Sequence, residues 1–180
     1  MDIRLAIYFE NATVAKFTLR HDDKSIPELL SGLVSRDKPL AVAMGAARCL
    51  TFMHRAGSLS TDDHRLQQFK KFVLEWSSAR CPALRVSVQK RCRDIRATAA
   101  ETLAYLAEVD TSLQRLAAIS NHLMSSLADI VSCSSAAAKQ GAFKCFASLG
   151  ANDEDIRKRI IETHGLMVHI VNGMNNSEPT

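Results

Sequence analysis

The stretch AAAKQGAFKCFASLGANDEDIRKRIIETHGLMVHIVNGM, residues 136–174, contains three helical segments separated by two short breaks. Apolar residues recur at helical spacing in the first segment, which ends at Gly150. Asn152 then opens a second segment, whose first turn is acidic and whose next turn is basic, an order that suits an N-cap and the helix dipole. His164 and Gly165 separate this segment from a third apolar one. Three short helices with no strand between them predict one unit of an α-solenoid.

Similar units recur along the chain. Segment 46–50 aligns with 99–103, at an offset of 53 residues, and 99–103 aligns in turn with 141–146, at an offset of 43 residues. Armadillo and HEAT repeats are about 40–47 residues long, so the longer interval indicates an insertion. Polar or acidic residues follow each copy, where the next helix is expected to begin. We therefore predict an all-α fold, an armadillo-type α-solenoid in which three-helix repeats form a right-handed superhelix.

The repeat array is expected to fill residues 1–174. It divides into a partial repeat at 1–10, repeats at about 11–56, 57–108 and 109–150, an incomplete repeat at 151–174 and a polar tail at 175–180. Helical spacing predicts helices at 12–20, 25–30, 40–55, 61–76, 95–108, 111–122 and 123–131, with a break at 35–39 and a loop holding one short helix at 77–94. Ser25 is the predicted N-cap of the second helix.

Both ends of the array are interpreted as cut surfaces. Residues 3–11 align with the end of a helix whose beginning is missing, and the last repeat has no third helix. Neighbouring repeats in a solenoid cover one another's apolar faces. We therefore expect that apolar side chains lack cover at both ends, namely those of Leu5, Ile7 and Phe9 at the front and of Ile160, Ile161, Leu166, Ile170 and Val171 at the back.

The composition favours helix over strand. Apolar residues make up 47% of the chain and charged residues 23%, whereas aromatic residues are only 6%. No apolar run approaches the roughly 18 residues of a membrane span, and the N-terminus does not have the order of a signal peptide. These features predict a cytosolic or nuclear chain. The five cysteines show no CxxC spacing, so reduced thiols are expected.

Signatures of catalysis and metal binding are not found in the sequence. It contains no Gly-rich phosphate loop, no GxSxG and no HExxH. The six histidines are scattered, and only His164 and His169 lie near each other, at a spacing that does not share a helix face. The acidic clusters lie where helix N-termini favour negative charge. We predict a protein that is not an enzyme and has no catalytic residue, no metal site and no cofactor.

A basic segment, 79–96, is the one candidate for contact with nucleic acid. Its cations are Arg80, Arg85, Lys90, Arg91, Arg93 and Arg96. Aromatic residues are not interleaved with them, so only attraction to phosphate could support binding. We interpret the segment as a solvated loop and keep nucleic-acid binding as an alternative function.

The third helix of each repeat supplies the candidate binding residues. In an armadillo solenoid the third helices stack to line a concave groove, whose outward-facing side chains contact protein partners. Two positions recur in register on these helices, and they hold Arg48 and Phe52, Glu101 and Tyr105, and Lys144 and Ser148. The Trp and Asn ladder typical of nuclear-import adaptors does not occupy them. A catenin-type or importin-type adaptor for adhesion or transport remains an alternative.

Several stretches resemble one family beyond what repeat packing requires. They are RDKP at 36–39, ARCLTFMHRAG at 47–57, TDD at 61–63, AETLAYLAE at 100–108, LQRLAAIS at 113–120 and FASLGANDEDIRKRIIET at 146–163. Together they closely resemble the armadillo repeat-containing protein 8 family, whose chains are several times longer, so the sequence looks like an internal fragment. It departs from the family at 77–94, which is longer and more basic, and at 131–140, which is shorter.

The resemblance implies a non-catalytic scaffold. Family members are subunits of the CTLH ubiquitin ligase, the counterpart of the yeast glucose-induced degradation complex, and hold a substrate receptor against the catalytic RING subunits. The resemblance further implies links to α-catenin and to an endosomal sorting protein that binds ubiquitin. It implies a location in cytoplasm and nucleus and no contact with membranes. No site residue is carried over from the family.

Overall fold

The computed structural model describes residues 20–21, 24–59, 64–78, 86–132 and 135–175. The chain divides into two compact units, a first unit ending at Glu75 and a second unit beginning at Trp76. The predicted helix at 12–20 lies outside the described residues except for Arg20, which is in a short strand.

The first unit contains a two-stranded ribbon and helices. Its elements are β1 (Arg20–His21), β2 (Lys24–Ser25), α1 (Ile26–Leu33), α2 (Leu40–Arg55) and α3 (His64–Ser78), the last of which continues into the second unit. The strands pair antiparallel. The bounds of α2 match the predicted helix. Ser25 stands at the N-cap position of α1, but its side chain makes no capping hydrogen bond.

Apolar stripes on α2 and α3 form the core of the first unit. Leu50 on α2 and Leu66, Phe69 and Val73 on α3 have no exposed surface. Val42, in the first turn of α2, is 44% exposed. Gly57 has φ 70°, a conformation that glycine adopts without a steric penalty, and it ends the helical region as predicted.

The turn between α1 and α2 carries the motif RDKP and is linked to α3. Arg36 forms an ion pair with Glu75 on α3. Lys38 Nζ lies 2.8 Å from Oδ2 of the Asp37 carboxylate. The hydroxyl of Ser35 donates a hydrogen bond to Oδ1 of the same carboxylate. The bond from Lys38, followed by that from Ser35, lowers the pKa of Asp37 to about 2. The Asp37 carboxylate therefore stays ionised in more acidic solution than an ordinary Asp does.

The second unit is built from stacked helices. They are α4 (Val86–Ala107), α5 (Thr111–Ile119), α6 (Asn121–Val131), α7 (Ala136–Gly150), α8 (Glu154–Glu162) and α9 (Leu166–Asn175). Helix α7 packs on α4, α5, α6 and α8, while α8 packs on α5 and α9 packs on α6. Helices three places apart in the chain therefore contact each other, as α4 does α7, α5 does α8 and α6 does α9, which is the packing expected of stacked three-helix units. This packing confirms the all-α, armadillo-type fold.

Side-chain caps explain where the helices of the second unit begin. Asp110 accepts a hydrogen bond from Leu113 N at 3.1 Å, and Ser120 accepts one from Leu123 N at 3.3 Å. In the same way Ser135 caps α7 and Asp153 caps α8. Each oxygen satisfies a backbone N–H that has no partner within its helix.

Several predicted helix boundaries are wrong. Helix α1 ends at Leu33 rather than at 30, and α3 ends at Ser78 rather than at 76. Helix α4 begins at Val86, so part of the expected loop at 77–94 is helical. His122 belongs to α6 rather than to α5, because α5 ends at Ile119 and Ser120 caps the start of α6. Asp153, not Asn152, is the N-cap of α8, since its carboxylate reaches two backbone amides. The repeat boundaries themselves remain predictions.

Helices α4 and α7 approach each other closely at Gly141. A Cβ atom at that position would lie 3.1 Å from the Ala97 carbonyl oxygen and 3.5 Å from Glu101 Cβ. Small residues continue the contact, since Ala100 and Ala142 are fully buried. The absence of a side chain at Gly141 thus sets the spacing of two adjacent third helices, which carry the predicted binding residues.

Candidate functional site

The first unit holds one pair of predicted binding residues, Arg48 and Phe52 on α2. The guanidinium carbon of Arg48 lies 5.7 Å from the centre of the Phe52 ring. Four residues separate the two positions, so they lie on the same face of the helix. Phe52 is only 4% exposed. The pair is a cation–π contact in which the aromatic ring is covered and the cation is half-exposed.

The second unit brings two predicted residues together across adjacent third helices. Lys144 on α7 places Nζ 3.7 Å from the centre of the Tyr105 ring on α4. Tyr105 is 6% exposed, whereas Lys144 is partly accessible. A cation over an aromatic face contributes about 0.5–2 kcal/mol, more as water is excluded. The positions that recur on successive third helices identified both residues but did not indicate that they are in contact.

The remaining two candidates differ in accessibility. Glu101 is half-exposed one turn before Tyr105, next to the close approach at Gly141. Ser148 is 8% exposed. The expectation that all six positions face outward is therefore wrong for Phe52, Tyr105 and Ser148. The cause is the close packing of neighbouring helices, which the spacing within one helix does not reveal. Their role in binding remains a prediction.

Gln114 is a structural residue that sequence reasoning missed. It is 3% exposed on α5, and its Nε2 donates to the Ala107 carbonyl at 2.6 Å and to the Ser148 carbonyl at 3.3 Å. These carbonyls lie in the last turns of α4 and α7, where helices leave acceptors without partners. One amide therefore joins the ends of both third helices. Its only sequence signal is a polar residue beside the apolar stripe of α5.

The predicted basic segment does not form one solvated surface. Arg80 and Arg85 lie outside the described residues, and Lys90 and Arg91 belong to α4. Arg96 is 5% exposed, and its Nη2 donates to the Ser126 carbonyl at 2.8 Å and also to the Ser126 hydroxyl. The Arg96 guanidinium therefore links α4 to α6 and is not exposed for contact with nucleic-acid phosphate. The interpretation of 79–96 as a loop is thus wrong from Val86 onward, where the chain is helical, and the expected solvation is wrong for Arg96.

A groove of about 550 Å³ lies between α5 and the turn from α7 to α8. Among its lining residues are Arg115, Leu116 and Ile119 on α5, with Asn152 and Asp153 on the opposite side. Sequence reasoning missed this groove, because Leu116 and Ile119 look like core positions of an amphipathic helix. Both are exposed instead.

The cysteines differ in state. Cys49 and Cys145 are free thiols, and burial raises the pKa of Cys145, which keeps it protonated. Cys92 is disulfide-bonded, so the expectation that all cysteines are reduced is wrong there. Within the described residues no three His, Cys, Asp or Glu side chains cluster as metal ligands would. No helix in that part of the chain is long and apolar enough to cross a membrane.

Comparison with known proteins identifies relatives. No family model matches the chain. It is 38% identical over 190 residues to "Armadillo repeat-containing protein 8" of Pongo abelii, an alignment that covers 94% of this chain and 27% of the relative. The protein of the same name from Danio rerio is 37% identical over 94% of the chain. That from Xenopus laevis is 32% identical over 87% of the chain and 29% of the relative.

The chain thus spans just over a quarter of the length of the relatives it matches. The relatives' name agrees with the helical stacking. The chain is therefore a relative of armadillo repeat-containing protein 8, similar to one segment of that protein.

Proposed function

We propose that the chain is a non-catalytic protein-interaction scaffold that binds partners along its third helices. Stacked helical repeats present extended surfaces that bind other proteins. The observation that carries the proposal is the contact of Lys144 Nζ with the Tyr105 ring, which joins two adjacent third helices. Glu101 is half-exposed on the same helix as Tyr105, one turn before it. In the first unit, Arg48 and Phe52 offer the same chemistry.

The partner complex that we propose is a ubiquitin ligase of the CTLH type. In this role the chain would help to hold a substrate receptor against the catalytic RING subunits, in cytoplasm and nucleus. Support comes from the similarity to armadillo repeat-containing protein 8 over nearly the whole chain. It comes also from motifs such as FASLGANDEDIRKRIIET, in which exposed charges as well as apolar positions resemble the family.

Affinity purification of the tagged chain from cells tests the proposed partner. We expect RING subunits of the ligase to co-purify with it. Recovery of adhesion or transport cargo without RING subunits would favour a catenin-type or importin-type adaptor. Recovery of RNA alone would point to a nucleic-acid binder, and either result would overturn the proposal.

A pair of charge reversals tests the proposed surface. In Glu101→Arg and Lys144→Glu the third-helix charges are inverted, so we expect recovery of the RING subunits to fall about tenfold or more, since like charges at an interface cost several kcal/mol. Lys158→Glu on the exposed face of α8 is the matched control. Circular dichroism should show unchanged helicity in all three variants. Undiminished recovery with both third-helix variants would place the interface elsewhere.

A further inference from the structure

The groove beside α5 combines exposed apolar surface with a concave shape. Leu116 is 60% exposed and Ile119 is 68% exposed, and they lie three residues apart on one face of α5. Single exposed apolar residues are common on protein surfaces and need no explanation. Large aliphatic side chains that are exposed together in a concave groove indicate an interaction site. The opposite side is formed by the turn that carries Asn152 and Asp153.

Arg115 gives this groove a positive charge. Its side chain is 79% exposed, and its Nε lies 3.9 Å from Asp153 Oδ2, at the outer limit of an ion pair. The other oxygen of Asp153 accepts hydrogen bonds from Asp155 N at 3.0 Å and Ile156 N at 3.2 Å. The positive end of α8 therefore already neutralises much of the Asp153 charge. The Arg115 guanidinium, with five N–H donors in a planar fork, can bind a second carboxylate.

We propose that this groove binds a short segment of a partner protein, in which a large apolar side chain is followed or preceded closely by Asp or Glu. The apolar side chain would pack on Leu116 and Ile119, and the carboxylate would reach Arg115. Arginine is enriched at protein interfaces because of this planar geometry. The proposal rests on the proposed role in protein interaction, but it uses the first helix of a repeat rather than the third.

The charge pattern argues for a peptide. A nucleic acid would need several cations along the groove, whereas its remaining polar lining, such as Thr111 and Asn152, is neutral. A volume of about 550 Å³ accommodates a few side chains, which fits a short motif.

Selection from a displayed library of short random peptides tests the proposal. We expect peptides selected on the wild-type chain to share a Leu, Ile, Phe or Trp close to an Asp or Glu. Fluorescence anisotropy with the selected peptides should show that Arg115→Glu weakens binding about tenfold or more. Leu116→Gln should weaken it as well, whereas Lys158→Glu should not, since that charge lies outside the groove.

Three results would overturn the proposal. Selected peptides without an acidic residue would contradict the role of Arg115, and so would equal affinity for Arg115→Glu. Circular dichroism checks whether Arg115→Glu folds, and Leu116→Gln provides an independent test if it does not.

The third result would come from sedimentation velocity, which measures whether the chain alone forms a dimer. A dimer that Arg115→Glu dissociates would show that a second copy occupies the groove.

The two proposals fail separately. RING subunits that co-purify with Arg115→Glu while peptide binding is lost would support the groove and leave the ligase proposal intact. Peptide binding by a wild-type chain that recovers no RING subunits would support the groove and overturn the ligase proposal alone.

Discussion

At the scale of single residues, buried polar side chains connect the helices of the second unit. Arg96 reaches from α4 to α6, and Gln114 reaches from α5 to the ends of α4 and α7. Neither role was predictable from the sequence, since a cation in a basic segment and an amide on a helix usually face solvent. Only the positions of the acceptors, on other helices, determine that these two side chains are buried.

Replacing Gln114 tests this connection. In Gln114→Leu the Ala107 and Ser148 carbonyls lose a buried donor, so we expect the free energy of unfolding to fall by about 1–3 kcal/mol. Urea denaturation followed by circular dichroism measures the change. Gln140→Leu, on the exposed side of α7, is the matched control and should change stability by less than about 0.5 kcal/mol. Equal midpoints for both variants would show that the two hydrogen bonds are not needed.

At the scale of helices, local signals predicted most elements and missed boundaries that depend on one residue. Helix α2 was predicted to the residue because a proline precedes it and a glycine follows it. The beginning of α4 was missed because its first turns, VSVQKRCRD, have little apolar periodicity. Gln, Lys and Arg are nevertheless good helix formers, and Pro82 lies before the helix rather than inside it.

Two glycines within helices provide a test of the close packing between α4 and α7. A Cβ added at Gly45 on α2 would meet nothing within 4 Å, whereas one at Gly141 would lie 3.1 Å from the Ala97 carbonyl. We expect Gly45→Ala to raise the free energy of unfolding by about 0.5–1 kcal/mol through helix propensity. Gly141→Ala should gain less, because its methyl group must displace the backbone of α4. Equal gains in urea denaturation would contradict the close approach.

At the scale of the whole molecule, stacking leaves apolar surface on the last two helices. Ile161 is 59% exposed, Val168 61% and Val171 50%. The expectation of uncovered apolar residues is thus confirmed for Ile161 and Val171, whereas Ile160 and Ile170 are only partly exposed, and Leu5, Ile7 and Phe9 lie outside the described residues. It is wrong for Leu166, which is fully buried. Sequence periodicity identified the apolar faces but could not say which side chain turns toward α6 and which toward solvent.

We expect the isolated chain to associate through this surface at high concentration, because exposed aliphatic side chains lose contact with water when they pair. The double substitution of Val168→Lys and Val171→Lys should reduce association in sedimentation velocity. Leu29→Lys serves as the control, since Leu29 is 48% exposed on α1 in the first unit. An equal reduction by the control would assign the association to general surface apolarity.

The proposed role in a ubiquitin ligase depends on where a partner binds. Hydrogen exchange of the chain with and without purified RING subunits would locate that surface directly. Our account predicts slower exchange on complex formation in the segments 101–107 of α4 and 140–148 of α7, which contain Glu101, Tyr105 and Lys144. Slower exchange confined to other segments, or no change in any segment, would contradict it.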